Sequence, residues 1–163
     1  MSKWRIIAVL SAAGAFTTGC EPAEPDVGGT GVSVTGLQEV EYTFTMDDAR
    51  WDAGEWDPAA GLTLHVTTVA VTPGTWRVGS QWLAEGTYTL DRGDYYLTVI
   101  QDSNGPSRHH TSGRQQLSPG AGAFRVACEL LALEGEVLSD DLILHVYETD
   151  GDDNLRVPIR LDR

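Results

Sequence analysis

The chain has few cysteines. Only Cys20 and Cys128 occur among its 163 residues, which excludes a disulfide framework and any zinc site built from cysteine clusters. Cys128 ends the apolar, strand-like run Ala123–Cys128, which predicts a small buried side chain and not a nucleophile.

Positive charge is also scarce. The formal net charge is −13, with 24 acidic residues and a single lysine, Lys3. Loss of an N-terminal signal containing Lys3 and Arg5 leaves nine Arg and no Lys, so the net charge becomes −15. Such a surface repels nucleic acid and anionic lipid, and it attracts divalent cations. The sequence therefore predicts that nucleic acid is not a partner.

The only long apolar run is N-terminal. Ile6–Phe16 is too short to span a bilayer and follows two basic residues, which is the pattern of a signal peptide. The run ends in Thr17–Cys20 (Thr-Thr-Gly-Cys), which resembles the lipobox of bacterial lipoproteins, with Thr17 where an aliphatic residue is usual. The alternative is an ordinary secretory signal with an incidental cysteine.

The lipoprotein resemblance implies the domain organisation. Residues 1–19 would be removed and Cys20 would receive the lipid, which also prevents a disulfide with Cys128. Glu21 after the cysteine implies the outer membrane of a bacterial cell envelope. Residues 20–36, rich in Pro, Gly and small polar residues, predict a flexible tether that reaches roughly 20–25 Å. Residues 37–163 have the size of one domain.

The domain shows repeated short runs of alternating or β-branched residues, separated by turn residues. This pattern, without helical periodicity, predicts an all-β fold, an antiparallel eight-stranded β-sandwich. Leu130–Val137 is predicted as a loop with one helical turn, and Pro158 predicts that the last strand lies at a sheet edge. The expected strands are Val40–Thr45, Leu62–Thr72, Thr75–Trp82, Thr87–Leu90, Tyr95–Gln101, Ala123–Glu129, Leu142–Glu148 and Leu155–Leu161.

The stretch Asp140–Leu155 gives the most specific indication of function in the sequence. In its first half, apolar residues alternate between two faces, as in a β-strand. In its second half, several acidic residues fall within one short turn. Carboxylates so near to one another repel each other unless water or a cation screens them. Ca²⁺ is the cation that such ligands suit. The turn is either a calcium site or a solvated surface turn. Its acidic residues are Glu148, Asp150, Asp152 and Asp153.

Three segments, in order, resemble a C2 domain: Asp94–Val99, Ser118–Phe124 and Leu144–Asp153. The resemblance implies a sandwich whose loops at one end bind Ca²⁺, with Gly79–Trp82 as part of the first calcium loop. It implies ligands at Asp94, Glu148 and Asp150, and at Asp152 or Asp153. The expected earlier acid is missing, because Leu83 follows Trp82, so the resemblance implies a weak or degenerate site.

The remaining groups of residues give weaker indications of function. Trp51 and Trp56, flanked by acids and glycine, are candidates for stacking on a sugar. His109 and His110 are adjacent, a spacing that does not suit one metal ion. No nucleophile elbow, phosphate loop or paired His/carboxylate signature occurs, so we expect a binding protein and not an enzyme. The resulting hypothesis is a lipid-anchored, Ca-dependent binding module for an unknown protein or glycan, and the alternative is a structural or carbohydrate-binding lipoprotein.

Overall fold

A computed structural model describes residues 34–52, 61–103, 107–112, 114–135, 137–148 and 154–162. These residues form eleven strands and one 3-10 turn, Met46–Asp48. The strands are β1 Gln38–Glu39, β2 Glu41–Phe44, β3 Arg50–Asp52, β4 Thr63–Val71, β5 Gln81–Leu90, β6 Tyr95–Ser103, β7 Ser107–Ser112, β8 Gln115–Leu117, β9 Gly120–Leu133, β10 Val137–Glu148 and β11 Asn154–Asp162.

The strands pair into two antiparallel sheets. The first sheet has the order β1-β4-β5-β9-β7, and the second has the order β2-β11-β10-β6-β8 with β3 also paired to β11. All described pairings are antiparallel. The predicted all-β, antiparallel class is therefore confirmed.

The core lies between the two sheets. Alternation along β5 and β6 turns every second residue inward, so Trp82 from the first sheet meets Leu97 and Val99 from the second, and none of the three is exposed. The indole Nε1 of Trp82 donates a hydrogen bond of 3.2 Å to the carbonyl oxygen of Val99, across the core. Burial of these apolar faces against each other is the main favourable term in the stability of such a fold.

Residues 38–44 close one side of the sandwich. The chain leaves β1 in the first sheet and enters β2 in the second with Val40 between them. The Val40 amide donates to the carbonyl oxygen of Val69 at 3.0 Å, and the Tyr42 hydroxyl donates to that of Val66 at 3.0 Å. Backbone groups along the edge of β4 are satisfied in this way by the chain that crosses between the sheets.

The outer face of the first sheet carries a small second core. Ala70, Leu83 and Ala127 from three neighbouring strands are buried there. Val34 and Leu37, which precede β1, pack on top of them. The packed part of the chain therefore includes Val34, inside the segment expected to be tether.

The structure contains four strands that were not expected, β1, β3, β7 and β8, and two of the expected segments differ from the prediction. Thr75–Trp82 and Thr87–Leu90 are not two strands, because a single strand, β5, spans Gln81–Leu90 and residues 75–80 belong to no strand. Leu130–Val137 is not a helical loop, because β9 continues to Leu133. Pairing of Ala132 and Leu133 with β7 overrides the helix propensity of this leucine-rich run.

The last strand, β11, is not an edge strand. It pairs with β10 on one side and with both β3 and β2 on the other. The β3 pairing ends at Arg156 and the β2 pairing begins at Ile159, so Pro158 falls in the gap between them. Pro158 is in register with Ile143 on β10, but on its other side it has no partner in β2 or β3, so a residue without an N–H group is tolerated there.

Candidate functional site

Eight strand ends lie at one end of the sandwich. They are the last residues of β3, β5, β8 and β10 and the first residues of β4, β6, β9 and β11, since Leu90 pairs with Gly120 and Tyr95 pairs with both Leu117 and Glu148. We call this end the acidic pole and define it by its described acidic residues, Asp91, Asp94 and Glu148.

Two of the expected calcium ligands come close in the fold from distant parts of the chain. Glu148 ends β10 and is in register with Tyr95, the first residue of β6. Tyr95 is 3% exposed and fixes the start of β6 in the core, so the exposed Asp94 before it lies at the same end of the sheet as the half-buried Glu148. The backbone pairing of β6 with β10 is what brings the two carboxylates to one pole.

Asp91 lies at the same pole, directly against Gly61. Gly61 has a φ of 64°, and a Cβ at this position would be 2.1 Å from Oδ2 of Asp91. Only glycine adopts this backbone conformation readily and leaves room for the carboxylate. Gly61, just before β4, and Asp91, in the turn between β5 and β6, are thereby packed together.

The remaining expected ligands, Asp150, Asp152 and Asp153, lie outside the described residues. Within the described ranges, no group of three or more His, Cys, Asp or Glu side chains is arranged to hold a metal ion. The described part of the pole supplies Asp91, Asp94 and Glu148, so a cation site there would need further oxygen ligands.

The segment Gly79–Trp82 does not belong to this pole. It precedes and begins β5, whereas Asp94 follows the far end of that strand, so the two lie at opposite ends of the sandwich. Trp82 is fully buried in the core. The expectation that this segment forms part of a calcium loop is therefore wrong, because the continuous strand β5 separates this segment from Asp94.

The other candidates from the sequence are placed as follows. Trp51 lies in β3 in register with Leu155, and Trp56 lies outside the described residues. His109 and His110 lie in β7, in register with Leu130 and Glu129. Trp51 therefore lies near the acidic pole, where β11 begins, whereas His109 and His110 pair with the part of β9 that is distant from it.

Cys128 is an unreactive thiol. It is fully buried in β9, and burial raises the pKa of its thiol to about 12. Because the thiolate is the reactive form, nucleophilic or metal-binding chemistry at Cys128 is suppressed near neutral pH.

The sequence did not reveal an aromatic and cationic surface next to the pole, on the outer face of the second sheet. The rings of Tyr96 and Tyr147, which are cross-strand partners, have centroids 5.8 Å apart and planes tilted by 35°. The His145 ring is 5.1 Å from that of Tyr147, and Cζ of Arg114 lies 4.4 Å from the centroid of Tyr96. We call these four residues, together with Arg156, the tyrosine–arginine patch.

Among the described residues, no helix has the length and apolar character needed to cross a bilayer. No protein-family model, no curated protein and no solved structure matches this chain.

Proposed function

We propose that this chain is a lipid-anchored cell-envelope lipoprotein with one C2-like β-sandwich, and that the sandwich is a Ca²⁺-dependent binding module without enzymatic activity. Cys20 would carry the lipid in the outer membrane, and the acidic pole would face a protein or glycan partner. The observation that carries the proposal is the pairing of Tyr95 with Glu148, which brings Asp94 and Glu148 to one end of the sandwich.

The chemistry of that end supports a hard cation. Asp91, Asp94 and Glu148 come from two separate segments, and the connection between β10 and β11 contains Asp150, Asp152 and Asp153. Carboxylate oxygens in loops are the ligands that Ca²⁺ prefers, and extracellular modules bind it with Kd values of about 10⁻⁴–10⁻³ M. A cation would also relieve the mutual repulsion of these carboxylates, which lie in a chain of high negative charge.

A thermal melt tests the calcium part. The full chain in non-ionic detergent would be heated in 1 mM EDTA, in 10 mM MgCl₂ and in 10 mM CaCl₂. If Kd is near 1 mM, 10 mM Ca²⁺ stabilises the fold by about 1.4 kcal/mol, which raises Tm by about 3–5 °C. Equal Tm values in Ca²⁺ and Mg²⁺ would indicate general charge screening and would contradict the proposal.

Two neutralising substitutions locate the site. Asp94→Asn and Glu148→Gln should each abolish the Ca²⁺-specific rise in Tm. The matched control is Glu134→Gln, because Glu134 is exposed after β9 at the opposite end of the sandwich. This variant should keep the full Ca²⁺ response.

Membrane attachment is tested separately. In a bacterial host, Cys20→Ser should move the chain from the membrane fraction to the soluble fraction and abolish incorporation of labelled palmitate. A Cys128→Ser variant is the control, since burial makes that thiol inaccessible. Membrane association that survives Cys20→Ser would rule out the lipid anchor.

The second candidate is a structural or carbohydrate-binding lipoprotein without a metal site. The two candidates differ in one measurable respect. A protein without a metal site would have the same melting temperature in EDTA and in Ca²⁺. Trp51 and Trp56 would then be the residues to substitute in a sugar-binding assay.

A further inference from the structure

The connection between β4 and β5 ends in a tight turn that exposes an apolar side chain. In the turn Arg77–Ser80, the amide of Ser80 donates to the carbonyl oxygen of Arg77 at 2.8 Å, and the amide of Arg77 donates to the Ser80 hydroxyl at 2.9 Å. Gly79, the third residue, has a φ of 87°, the conformation that a type II turn requires there. Val78, the second residue, lies at the tip and is 61% exposed. The fold therefore presents this valine to its surroundings instead of burying it.

A second exposed apolar side chain lies beside this turn. The Gly79 amide donates to the carbonyl oxygen of Leu130 at 2.8 Å, and the Leu130 amide donates to that of Ser80 at 2.9 Å, so the turn is attached to β9. Leu130 is fully buried, and alternation along β9 turns Leu131 to the outer face of the first sheet, where it is 44% exposed. In the described part of the chain, Val78 and Leu131 are the large apolar side chains that are exposed, and both lie opposite the acidic pole. We call this turn together with Leu131 the apolar corner.

The charges around the apolar corner suit a zwitterionic surface. Residues 72–80 contain one arginine, the exposed Arg77, and no acid, in a chain of 24 acidic residues. Acids lie on the neighbouring segments, where Glu129 accepts a hydrogen bond from Nε2 of Gln81 at 2.9 Å and Glu134 is exposed after β9. A zwitterionic lipid offers a phosphate to the arginine and an ammonium group to the acids. An anionic bilayer would be repelled by the net negative charge of the chain.

The N-terminal segment joins the domain in the same half of the sandwich. Val34 packs against the small cluster that contains Leu83, on the outer face of the first sheet. Leu83 lies seven residues before Leu90, the last residue of β5, so about 24 Å of strand separate this contact from the acidic pole. A flexible chain of 14 residue steps, as from Cys20 to Val34, spans about 20 Å on average. With the acidic pole against a bilayer, such a tether would have to extend along most of the sheet. With the opposite end against the bilayer, it would not.

We propose that the apolar corner rests on a zwitterionic lipid bilayer, with Val78 and Leu131 in the interfacial region and Arg77 at the level of the phosphates. This inference rests on the lipid anchor at Cys20 proposed above, because two apolar side chains bury too little area to hold a domain on a bilayer by themselves. The acidic pole and the tyrosine–arginine patch beside it then face away from the bilayer, where a partner can reach them.

Position-specific fluorescence in vesicles tests this orientation. Val78→Cys and Thr89→Cys would each be produced in lipidated form, labelled with a polarity-sensitive, thiol-reactive dye and reconstituted into phosphatidylcholine vesicles. Cys128 is buried and Cys20 would carry the lipid, so the introduced thiol is the one that reacts. Thr89 is the matched position, because it is exposed on β5 one residue before the acidic pole. Doxyl-labelled lipid should quench the dye at position 78 at least about threefold more strongly than the dye at position 89.

A negative charge in the apolar corner should lift it from the bilayer. Leu131→Glu, introduced into the labelled Val78→Cys protein, should reduce the quenching to the level seen at position 89, because a carboxylate is poorly accepted in the apolar part of the interface. Ala123→Glu is the matched control, since Ala123 is exposed on the same face of the same strand but nearer to the acidic pole. It should leave the quenching unchanged. Circular dichroism melts would verify that each variant is folded.

Vesicle flotation separates this proposal from the lipid anchor. Labelled protein that does not float with the vesicles would contradict the anchor at Cys20, and the orientation with it. Protein that floats but is quenched equally at positions 78 and 89 would overturn the orientation and leave the anchor intact. Equal quenching in Leu131→Glu and Ala123→Glu would show that the apolar corner is not the contact. A blue-shifted dye at position 78 that lipid does not quench would identify a second copy of the chain as the occupant and would also overturn the proposal.

Discussion

Phe124 on β9 lies over Gly86, its cross-strand partner on β5. A Cβ at position 86 would be 2.6 Å from Cζ of Phe124 and 2.1 Å from the backbone carbonyl oxygen of His65. Gly86 is therefore the position at which the first sheet accepts a large aromatic ring from the neighbouring strand. Both strands continue through this pair without interruption.

We expect Gly86→Ala to be strongly destabilising. The ring of Phe124 can move only within a packed core, and the carbonyl oxygen of His65 belongs to a paired strand, so neither contact is easily relieved. Overpacking of this kind costs about 3 kcal/mol. Urea unfolding followed by tryptophan fluorescence measures the loss.

Gly122→Ala provides the comparison. A Cβ at position 122 would be 2.7 Å from Cε1 of Tyr88, and its nearest contacts are all atoms of that half-buried side chain. Because Tyr88 can swing outward, this substitution should cost clearly less than Gly86→Ala. Equal losses in the two variants would show that the His65 carbonyl is not the decisive contact.

The hydrogen bond between Trp82 and Val99 leads to a second prediction. Trp82→Phe removes the indole N–H, leaves the buried carbonyl oxygen of Val99 without this donor, and leaves a cavity. We expect a loss of about 2–4 kcal/mol, from the unsatisfied group and the lost volume together. Urea unfolding monitored by far-UV circular dichroism gives the value, since the substitution itself alters fluorescence.

A second variant shows how the cost of losing a hydrogen bond depends on burial. Tyr42→Phe removes a hydroxyl that donates to the carbonyl oxygen of Val66 at 3.0 Å, in a half-buried position. Water can replace this donor more easily, so the loss should stay below about 1.5 kcal/mol. A Trp82→Phe loss as small as that of Tyr42→Phe would contradict the importance of the bond across the core.

The sequence was informative where a strand is buried on one face and polar on the other. Leu142–Glu148 alternates cleanly and lies within β10, and Leu62–Thr72 matches β4 to within one residue at each end. The same rule failed around Gly86, where glycine interrupts the pattern of side chains but not the strand. Phe124, 38 residues away in sequence, fills the space that Gly86 leaves, and no local pattern reveals that.

Short and polar strands could not be predicted from the sequence. Ser107–Ser112 and Gln115–Leu117 lack a run of alternating apolar residues, and their strand structure comes from pairing with β9 and β6. The same distinction between local pattern and strand pairing applies to the candidate site. The acidic residues are visible in the sequence, but the proximity of Asp94 to Glu148, and of Tyr96 to Tyr147, depends on the register of β6 with β10.

The Thr98 hydroxyl leads to a third prediction. Thr98 is 6% exposed, and its Oγ1 has no hydrogen-bond partner within the described part of the chain. A buried hydroxyl without a partner costs about 1–3 kcal/mol, so Thr98→Val, which keeps the shape of the side chain, should stabilise the fold by about 1 kcal/mol. Thr67→Val is the control, because the exposed Thr67 hydroxyl donates to the carbonyl oxygen of Glu85. A loss of stability in Thr98→Val, measured as a fall in Tm, would show that the hydroxyl has a partner.

The buried thiol of Cys128 predicts how stability depends on alkaline pH. Burial, the largest cause, raises the pKa of this thiol to about 12, whereas the thiol of an unfolded cysteine has a pKa of about 8.5. Above the lower value, the unfolded chain releases a proton that the folded chain retains, so unfolding becomes more favourable. The ionisation of Cys128 therefore has no effect on stability below about pH 8, and it lowers stability as the pH rises from about 8.5 toward 12.

Comparison with Cys128→Ala isolates this contribution, since Tyr42, whose pKa burial also raises, titrates in both proteins. The substitution lowers stability at every pH by removing the sulfur from a packed site, but the difference between the two proteins should shrink with rising pH. Between pH 8 and pH 10 it should shrink by about 2 kcal/mol, because a single group contributes about 1.4 kcal/mol per pH unit. Urea midpoints at pH 8, 9 and 10 measure the trend. A difference that stays constant over this range would mean that the thiol ionises as readily in the folded protein as in the unfolded chain.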